Sequence, residues 1–213
     1  FITKQGTSRK EQAPGTADNA VYAPNGTPEQ GTSKYGTSLF MYSISAPTLL
    51  LSYHELKFLE AEALCRLERD AKSALKDAVV AGLLNAENSF TISRKELGKT
   101  LINAASSITE AEAESYFDNT IEAKYTAEPL KTTMTQKYFA LWGASGEATE
   151  SYNDVRRMKG LGENFIELKN PNSFPLRCPY GNSDTTTNAE VKAAYGNGQY
   201  VYSENVWWAG GSR

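Results

Sequence analysis

Apolar residues recur at helical spacing in a stretch that begins near residue 52. On a wheel of 100° per residue, one set falls on a single side and a smaller set falls on the opposite side. The larger set is Tyr53, Leu56, Leu59, Ala63, Leu64 and Leu67, and the smaller set is Phe58, Ala61 and Cys65. A helix that is apolar on two faces is expected to have neighbours on both.

A second stretch with the same spacing follows after a short turn. Ser52 and Glu55 fit a capping box at the start of the first helix, and Asp70 fits the N-cap of the second. The apolar positions of the second helix are Ala71, Ala74, Leu75, Ala78, Val79, Gly82, Leu83 and Ala86. Its small residues leave room for a partner backbone. The pattern therefore predicts a stacked helical hairpin over residues 52–87, as in tetratricopeptide-type arrays.

Further helices are predicted by their start signals. A capping box at Ser93 predicts a short helix to about residue 106, and another box at Thr109 predicts the next one. Pro129 suits the first position of a helix that reaches about residue 142. A last helix is predicted over residues 147–158, after two glycines that interrupt the chain.

Both ends of the chain lack helical spacing and are rich in glycine and proline. Residues 1–47 are expected to be an irregular segment, either a disordered leader or an ordered loop packed over the helices, with a possible short strand at residues 40–44. The helical body is predicted to span residues 48–160. Residues 161–213 are expected to be an irregular segment packed on the helices. The predicted fold class is mostly α, with tetratricopeptide-like hairpins, long loops and little β structure.

Composition and spacing argue against several function classes. A net charge of −3 and a sequence pI of ≈ 5.4 argue against nucleic acid as a partner. The lone histidine, His54, has no metal-ligand spacing around it and is expected to be a surface or boundary residue without a catalytic role. No carboxylate pair stands out as a glycosidase acid and base. We therefore expect no enzyme activity, no catalytic residue, no metal site and no cofactor.

The carboxylate of Glu60 falls inside the larger apolar face of the first helix. A buried carboxylate needs a paired cation, and Arg can hold it through two hydrogen bonds. We therefore predict a structural ion pair between Glu60 and Arg156 or Arg157 of the last helix, so that Glu60→Ala would destabilise the fold. The alternative is that Glu60 simply reaches solvent. Glu62 is expected on the polar side, where Arg66 at i+4 can pair with it.

Aromatic residues are candidates for ligand binding, and the chain has 12 Tyr, 8 Phe and 3 Trp. Flat aromatic faces bind the C–H faces of sugar rings, and a loop-borne aromatic side chain loses little entropy on binding. Tyr22 and Tyr35, among Asn, Gln and Thr in the leading loop, are the candidate ligand-binding residues, or else they are ordinary loop aromatics. Trp142 is expected in the core, and at least one of Trp207 and Trp208 is expected to dock the tail.

Four segments, in order along the chain, resemble stretches of the starch-utilisation-system D-like (SusD/RagB) family. They are SYHELKFLEAEA at residues 52–63, QKYFAL at 136–141, YNDVRR at 152–157 and NVWW at 205–208. Members of the family are more than twice as long. The chain therefore resembles the C-terminal portion of such a protein, and the N-terminal helical part of the same protein is expected to be absent from it.

The resemblance implies a cell-surface, lipid-anchored outer-membrane protein that captures an oligosaccharide or other nutrient without catalysis. It would deliver this ligand to a SusC-type TonB-dependent transporter. Family members are anchored through an N-terminal cysteine, which neither Cys65 nor Cys178 can be, and some hold a calcium ion. The alternative is a helical-repeat adaptor that binds a peptide or partner protein. The long loops and the acidic balance favour the first hypothesis.

Overall fold

The structure, a computed structural model, describes residues 2–4, 36–38, 47–97, 108–143, 145–167, 173–198 and 200–211. The described residues form two compact units, one that ends at Glu167 and one that lies within Leu168–Arg213. Most of them are helical, so the predicted fold class is confirmed.

The first unit contains six α-helices among the residues that the structure describes. They are α1 (Tyr53–Arg66), α2 (Lys72–Leu97), α3 (Glu110–Tyr116), α4 (Glu122–Ala127), α5 (Pro129–Ala140) and α6 (Ala148–Gly160). A π-helical turn, Phe117–Ile121, joins α3 to α4, and a 3₁₀ turn, Ser145–Glu147, precedes α6. Two short strands, β1 (Ile2–Lys4) and β2 (Gly36–Ser38), pair antiparallel with Thr3 opposite Thr37.

The helices α1 and α2 form the predicted hairpin. At the end of α1, the Arg69 N–H donates to the Leu64 carbonyl and the Glu68 N–H donates to the Cys65 carbonyl. These two bonds are the Schellman pattern, and they place Glu68 in the left-handed region at φ 55°. Asp70 then accepts a hydrogen bond from the Lys72 N–H at 3.0 Å, which supports its predicted capping role.

The core lies between the hairpin and the helices that follow it. Phe58 and Ala61 of α1 meet the small-residue face of α2, and the π-helical turn and α4 close the other side. The core residues are Phe58, Ala61, Ala71, Ala74, Leu75, Ala78, Val79, Phe117, Ile121 and Tyr125. At Gly82 an added Cβ would lie 3.4 Å from the Ala140 side chain, so the predicted small face does admit a close neighbour, α5.

The two apolar faces of α1 have different environments. The smaller set packs in the core, whereas Tyr53, Leu56, Leu59 and Leu67 of the larger set are exposed. The wheel identifies both faces correctly, but residue type alone does not decide which one this chain covers. Neighbours are expected on both faces of α1, and the described residues cover chiefly the smaller one.

Local start signals succeed or fail according to their context. Thr109 and Glu112 form the full predicted capping box, and Pro129 opens α5 as predicted. Ser93 does not start a helix, because α2 continues through it to Leu97. Trp142 follows the end of α5 and is 57% exposed, so its predicted core position is wrong. It lies just beyond the buried Leu141, on the outer side of the turn.

The second unit has its own short helices where an irregular segment is expected. These are α7 (Asn182–Thr187) and α8 (Ala189–Tyr195), followed by a 3₁₀ turn, Trp207–Ala209. The rings of Tyr180 and Tyr195 stack at 4.5 Å between centroids, and the Arg177 guanidinium lies 4.8 Å from the Tyr180 ring. The Trp207 side chain is exposed.

Candidate functional site

The candidate ligand-binding residues, Tyr22 and Tyr35, lie outside the described residues, as does the short strand expected at residues 40–44. The described part of the chain instead brings together two polar clusters and one groove. One cluster is an ion-pair network between α1, α5 and α6, and the other surrounds the N-terminus of α1.

The ion-pair network centres on Glu62 of α1. The Arg157 guanidinium donates to both carboxylate oxygens of Glu62, with Nη2 to Oε2 at 2.8 Å. Arg66 Nε donates to Oε1 at 2.7 Å, and its two terminal nitrogens bind Glu163 at 2.9 Å each. Burial alone raises the pKa of Glu62, but the hydrogen bonds and charges of the two arginines outweigh burial and lower it below the usual range.

The predicted link between α1 and α6 therefore exists, but Glu60 does not form it. Glu60 has a side chain that is 49% exposed and binds Lys57 Nζ at 2.9 Å, which corrects its predicted pairing with Arg157. Arg156 donates to the Tyr152 hydroxyl at 3.0 Å, within its own helix. Glu60 does not pair with α6 because it lies on the face of α1 that carries the exposed apolar residues. Glu62 borders the buried set, and it keeps the predicted contact with Arg66.

Lys137 extends this network to α5. Its ammonium lies 2.8 Å from Asp154 Oδ2, and Asp154 Oδ1 accepts from Arg157 Nη2 at 2.8 Å. The Lys137 side chain is only 2% exposed, so its charge is almost entirely removed from water. One arginine and one aspartate of α6 thus connect charged groups of α1 and α5.

The second cluster contains His54, which is 2% exposed and so contradicts its predicted boundary position. Its Nε2 lies 3.2 Å from the Ser52 hydroxyl and 3.8 Å from Glu147 Oε2. Burial lowers the pKa of His54, against the opposing effect of the Glu147 charge, and this favours the neutral ring. Glu147 lies 93 positions after His54 in the sequence, so local sequence does not reveal that the two side chains are neighbours.

The same cluster changes the predicted capping box of α1. The Ser52 hydroxyl accepts from the Glu55 N–H at 3.1 Å, as expected. The Ser52 N–H donates to the Glu147 carboxylate, which takes the place expected for Glu55. Glu55 is buried beside Glu147, and burial, the Glu147 charge and a hydrogen bond between the two carboxyl groups raise the pKa of Glu55 to about 7. The Lys137 charge opposes this shift and the Glu150 charge adds to it.

This raised pKa makes folding stability depend on pH. The folded state holds the Glu55 proton that the unfolded chain loses near 4.5, so the stabilisation is complete below that pH and is lost as pH rises through about 7. Glu55→Gln removes this titration, and its amide can still donate to Glu147. We expect the variant to be more stable than the original protein at pH 8, by about 1–3 kcal/mol, and similar to it at pH 4.5.

Urea unfolding of the two proteins between pH 4.5 and 8 measures this difference. His54 is present in both proteins, so the difference between them reports on Glu55 together with its interaction with Glu147. The exposed Glu114→Gln on α3 is the matched control for the loss of one carboxylate charge. A Glu55→Gln variant that is less stable at pH 8 would contradict the assignment.

A groove of ≈ 490 Å³ lies between the N-terminal end of α1, the middle of α2 and the start of α3. Tyr53, Val80 and Leu84 supply apolar wall, and Lys76 and Asp77 stand among its charged lining residues. These two charges are already engaged, because Lys76 binds Asp118 at 2.9 Å and Asp77 lies 3.5 Å from Lys57. Two more carboxylates, Glu110 and Glu114, also line the groove, so a ligand would meet apolar wall beside acidic groups.

Within the described ranges, no group of three or more His, Cys, Asp or Glu side chains is arranged to hold a metal ion. None of the described helices combines the length and the apolar character needed to cross a membrane. Cys65 and Cys178 are both free thiols. Burial raises the pKa of Cys65, whose Sγ lies 3.6 Å from the Thr133 hydroxyl.

Sequence reasoning missed Lys137, Asp154, Glu147 and the burial of His54. Lys137 and Asp154 lie within the segments QKYFAL and YNDVRR, so their motif positions were a usable signal. A Lys and an Asp at inward positions of two facing helices form a plausible pair once both helices are placed. Glu147 carried no comparable signal, because its partners are distant in sequence and it lies in a short 3₁₀ turn.

In the described first unit, α5 thus packs against the α1–α2 hairpin, and ion pairs link α6 to α1 and α5. No family model matches the chain, and no curated protein matches it. A crystal structure of a SusD/RagB family protein from Bacteroides thetaiotaomicron does match, with a TM-score of 0.80 and 69% sequence identity. The match covers 92% of this chain and 42% of the other chain.

This similarity of sequence and structure confirms the resemblance, and the chain belongs to the SusD/RagB family. It spans less than half the length of the protein it matches. The finding supports the prediction that the chain corresponds to a C-terminal part of such a protein.

Proposed function

We propose that the protein containing this chain binds an oligosaccharide or other nutrient at the cell surface and passes it to a SusC-type TonB-dependent transporter. The observation that carries the proposal is the 69% identity to a SusD/RagB family protein over 92% of the chain. By the same kinship, we propose a lipid-anchored protein on the outer membrane and non-covalent capture without catalysis or a cofactor.

The described structure supports a binding role through rigidity. Glu62, Asp154 and Lys137 are engaged in ion pairs between helices, so these charges hold the scaffold together. A rigid scaffold positions the loops it carries, and loops supply many of the contacts in binding proteins. Tyr22 and Tyr35, in the glycine- and proline-rich sequence that precedes the helices, remain the proposed ligand contacts.

Affinity electrophoresis of the full gene product in gels that contain single polysaccharides tests this proposal. We expect retardation on at least one polysaccharide and a loss of about 5- to 30-fold in affinity for Tyr22→Ala or Tyr35→Ala, since stacking contacts contribute about 1–2 kcal/mol. The matched control is Tyr202→Ala, an exposed tyrosine of the second unit. No retardation on any polysaccharide, together with capture of a peptide, would favour the helical-repeat adaptor instead.

A further inference from the structure

A few contacts fix the chain just before α1 to the 3₁₀ turn just before α6. The Ser52 N–H donates to the Glu147 carboxylate, and the Glu147 side chain is only 1% exposed. An added Cβ at Gly146 would collide with the Leu49 carbonyl oxygen, so the two backbones are in direct contact. We call these four residues the anchor. It holds the start of α1 through a turn that lies far away in the sequence.

The Glu147 carboxylate has one oxygen that needs a hydrogen-bond donor. With both carboxyl groups of the site ionised, its Oε2 is buried and has no hydrogen-bond partner among the described residues, and His54 Nε2 at 3.8 Å is too far away to be one. The carboxyl group of Glu55, which is 6% exposed, lies in contact with that of Glu147. An ionised carboxylate only accepts, so a hydrogen bond between the two needs a proton on one of them. We call Glu55 and Glu147 the acid pair.

The charged groups nearest the acid pair do not supply the missing positive charge. Lys137 of α5 acts on Glu55, but its ammonium lies 2.8 Å from Asp154. Glu150 of α6 adds further negative charge. Burial lowers the pKa of His54, which keeps its ring neutral. Ionising both members of the pair therefore places two negative charges side by side in a buried site.

The elements on the other side of His54 do not change this balance. Gly82 of α2 lies against the ring and carries no charge. Lys76 and Asp77 of α2 line the groove beside His54, and they are bound to Asp118 and Lys57. The two residues of α3 that line the same groove are both glutamates. Among the described groups, a proton is therefore what best stabilises the acid pair.

We propose that the acid pair is a proton-controlled latch, which keeps the anchor closed while it holds a proton and lets the anchor open locally when both carboxyl groups are ionised. Burial and the Glu147 charge raise the pKa of Glu55 to about 7, so the closed form holds a proton that an open, hydrated Glu55 loses near 4.5. The stabilisation of the closed form is complete below that pH and is lost as pH rises through about 7. Opening releases the point at which residues 1–47 lead into α1. The inference rests on these contacts and not on the proposed nutrient binding.

The anchor can open while the core stays folded. Leu50 and Leu51 are 87% and 67% exposed, so little apolar burial holds this segment. Phe58, the first core residue of α1, comes more than one helical turn after Ser52. Segments with few buried apolar contacts open at a lower free energy than the core does. Loss of the proton therefore acts first on the anchor.

Hydrogen exchange of the full gene product, read by peptide mass spectrometry at pH 6 and pH 8.5, tests the latch. Labelling times are scaled to the intrinsic exchange rate at each pH. For peptides that cover residues 49–58, we expect protection to be about tenfold lower at pH 8.5, because opening releases a proton and becomes more favourable as pH rises towards and past 7. A peptide of α2 that covers residues 72–80 is the internal reference and is expected to keep its protection.

Two substitutions and a control locate the proton. In Glu55→Gln and in Glu147→Gln the new amide donates where the proton did, so we expect the tenfold change to disappear in both. Glu150→Gln removes a neighbouring charge and leaves the acid pair intact, so it is expected to keep the change. Equal protection at the two pH values in the unsubstituted protein would overturn the proposal, as would a change that persists in both amide variants. An equal loss in the α2 peptide would show global destabilisation and would overturn it too. Polysaccharide binding is measured separately, so either proposal can fail alone.

Discussion

Glu62→Ala is expected to lower the free energy of unfolding by about 2–3 kcal/mol, because it removes the shared acceptor of two arginines. Glu62 has a side chain that is 7% exposed, and Arg157 and Arg66 both bind it. The loss stays below that of a fully buried pair because Arg157 keeps Asp154 and Arg66 keeps Glu163. Urea unfolding at pH 7 measures the effect.

Glu60→Ala provides the matched control on the same helix, two residues away. Its pair with Lys57 is exposed to water and salt, so the control is expected to lose little stability. Equal losses for the two variants would mean that the network does not distinguish the buried carboxylate from the exposed one, and the assignment of the link to Glu62 would be wrong.

The lowered pKa of Glu62 adds a pH dependence to this prediction. Its ionised form is favoured in the folded state, so the stabilisation is present above the ordinary value of 4.5 and is lost as pH falls through the lower folded value. The stability difference between the original protein and Glu62→Ala should therefore shrink progressively as pH falls below 4.5. A difference that stays constant down to pH 3 would contradict the ionised pair.

Periodicity and local turn chemistry predicted the hairpin because these signals act over a few residues. The positions of α1 and α2, the turn between them, the capping box at Thr109 and the start of α5 at Pro129 all follow from contacts within one or two helical turns. The helix start predicted at Ser93 is wrong because α2 already runs through this position. Its backbone N–H groups are bonded within the helix and need no cap.

The choice between Glu60 and Glu62 shows where such reasoning stops. A wheel locates two apolar faces on α1, but burial depends on which neighbours are present. The larger face of α1 is exposed in the described chain, so a rule that places the larger face inward selects Glu60. The buried carboxylate can be identified only when the neighbouring helices are placed, because the partner of Glu62, Arg157, is 95 positions away in the sequence.

The predicted boundary position of His54 is wrong for a related reason. A single histidine in the first turn of a helix resembles a boundary residue until Glu147 and Gly82 are placed beside it. An added Cβ on Gly82 would lie 4.0 Å from the His54 ring, so the glycine on α2 makes room for the imidazole. Long-range contacts of this kind fix the burial of a polar side chain, and composition does not contain them.

Asp154→Ala is expected to have the largest effect, a loss of about 3–5 kcal/mol in the free energy of unfolding. The variant leaves the Lys137 ammonium, 2% exposed, without the carboxylate that lies 2.8 Å from it. It also removes one acceptor of Arg157. An unpaired charge in such an environment costs more than the pair itself contributes, because its desolvation is no longer offset.

A second substitution distinguishes the cost of an unpaired Lys137 ammonium from the cost of lost packing at residue 154. Lys137→Met in the Asp154→Ala background replaces the ammonium with an apolar side chain of similar length, so we expect the double variant to recover at least half of the lost stability. The remaining loss would reflect Arg157 and the small cavity at residue 154. Chemical unfolding of the four proteins in the double-mutant cycle measures the coupling between the two residues. A double variant no more stable than Asp154→Ala would show that the cost arises elsewhere, and the buried ammonium would then not be what makes Asp154 necessary.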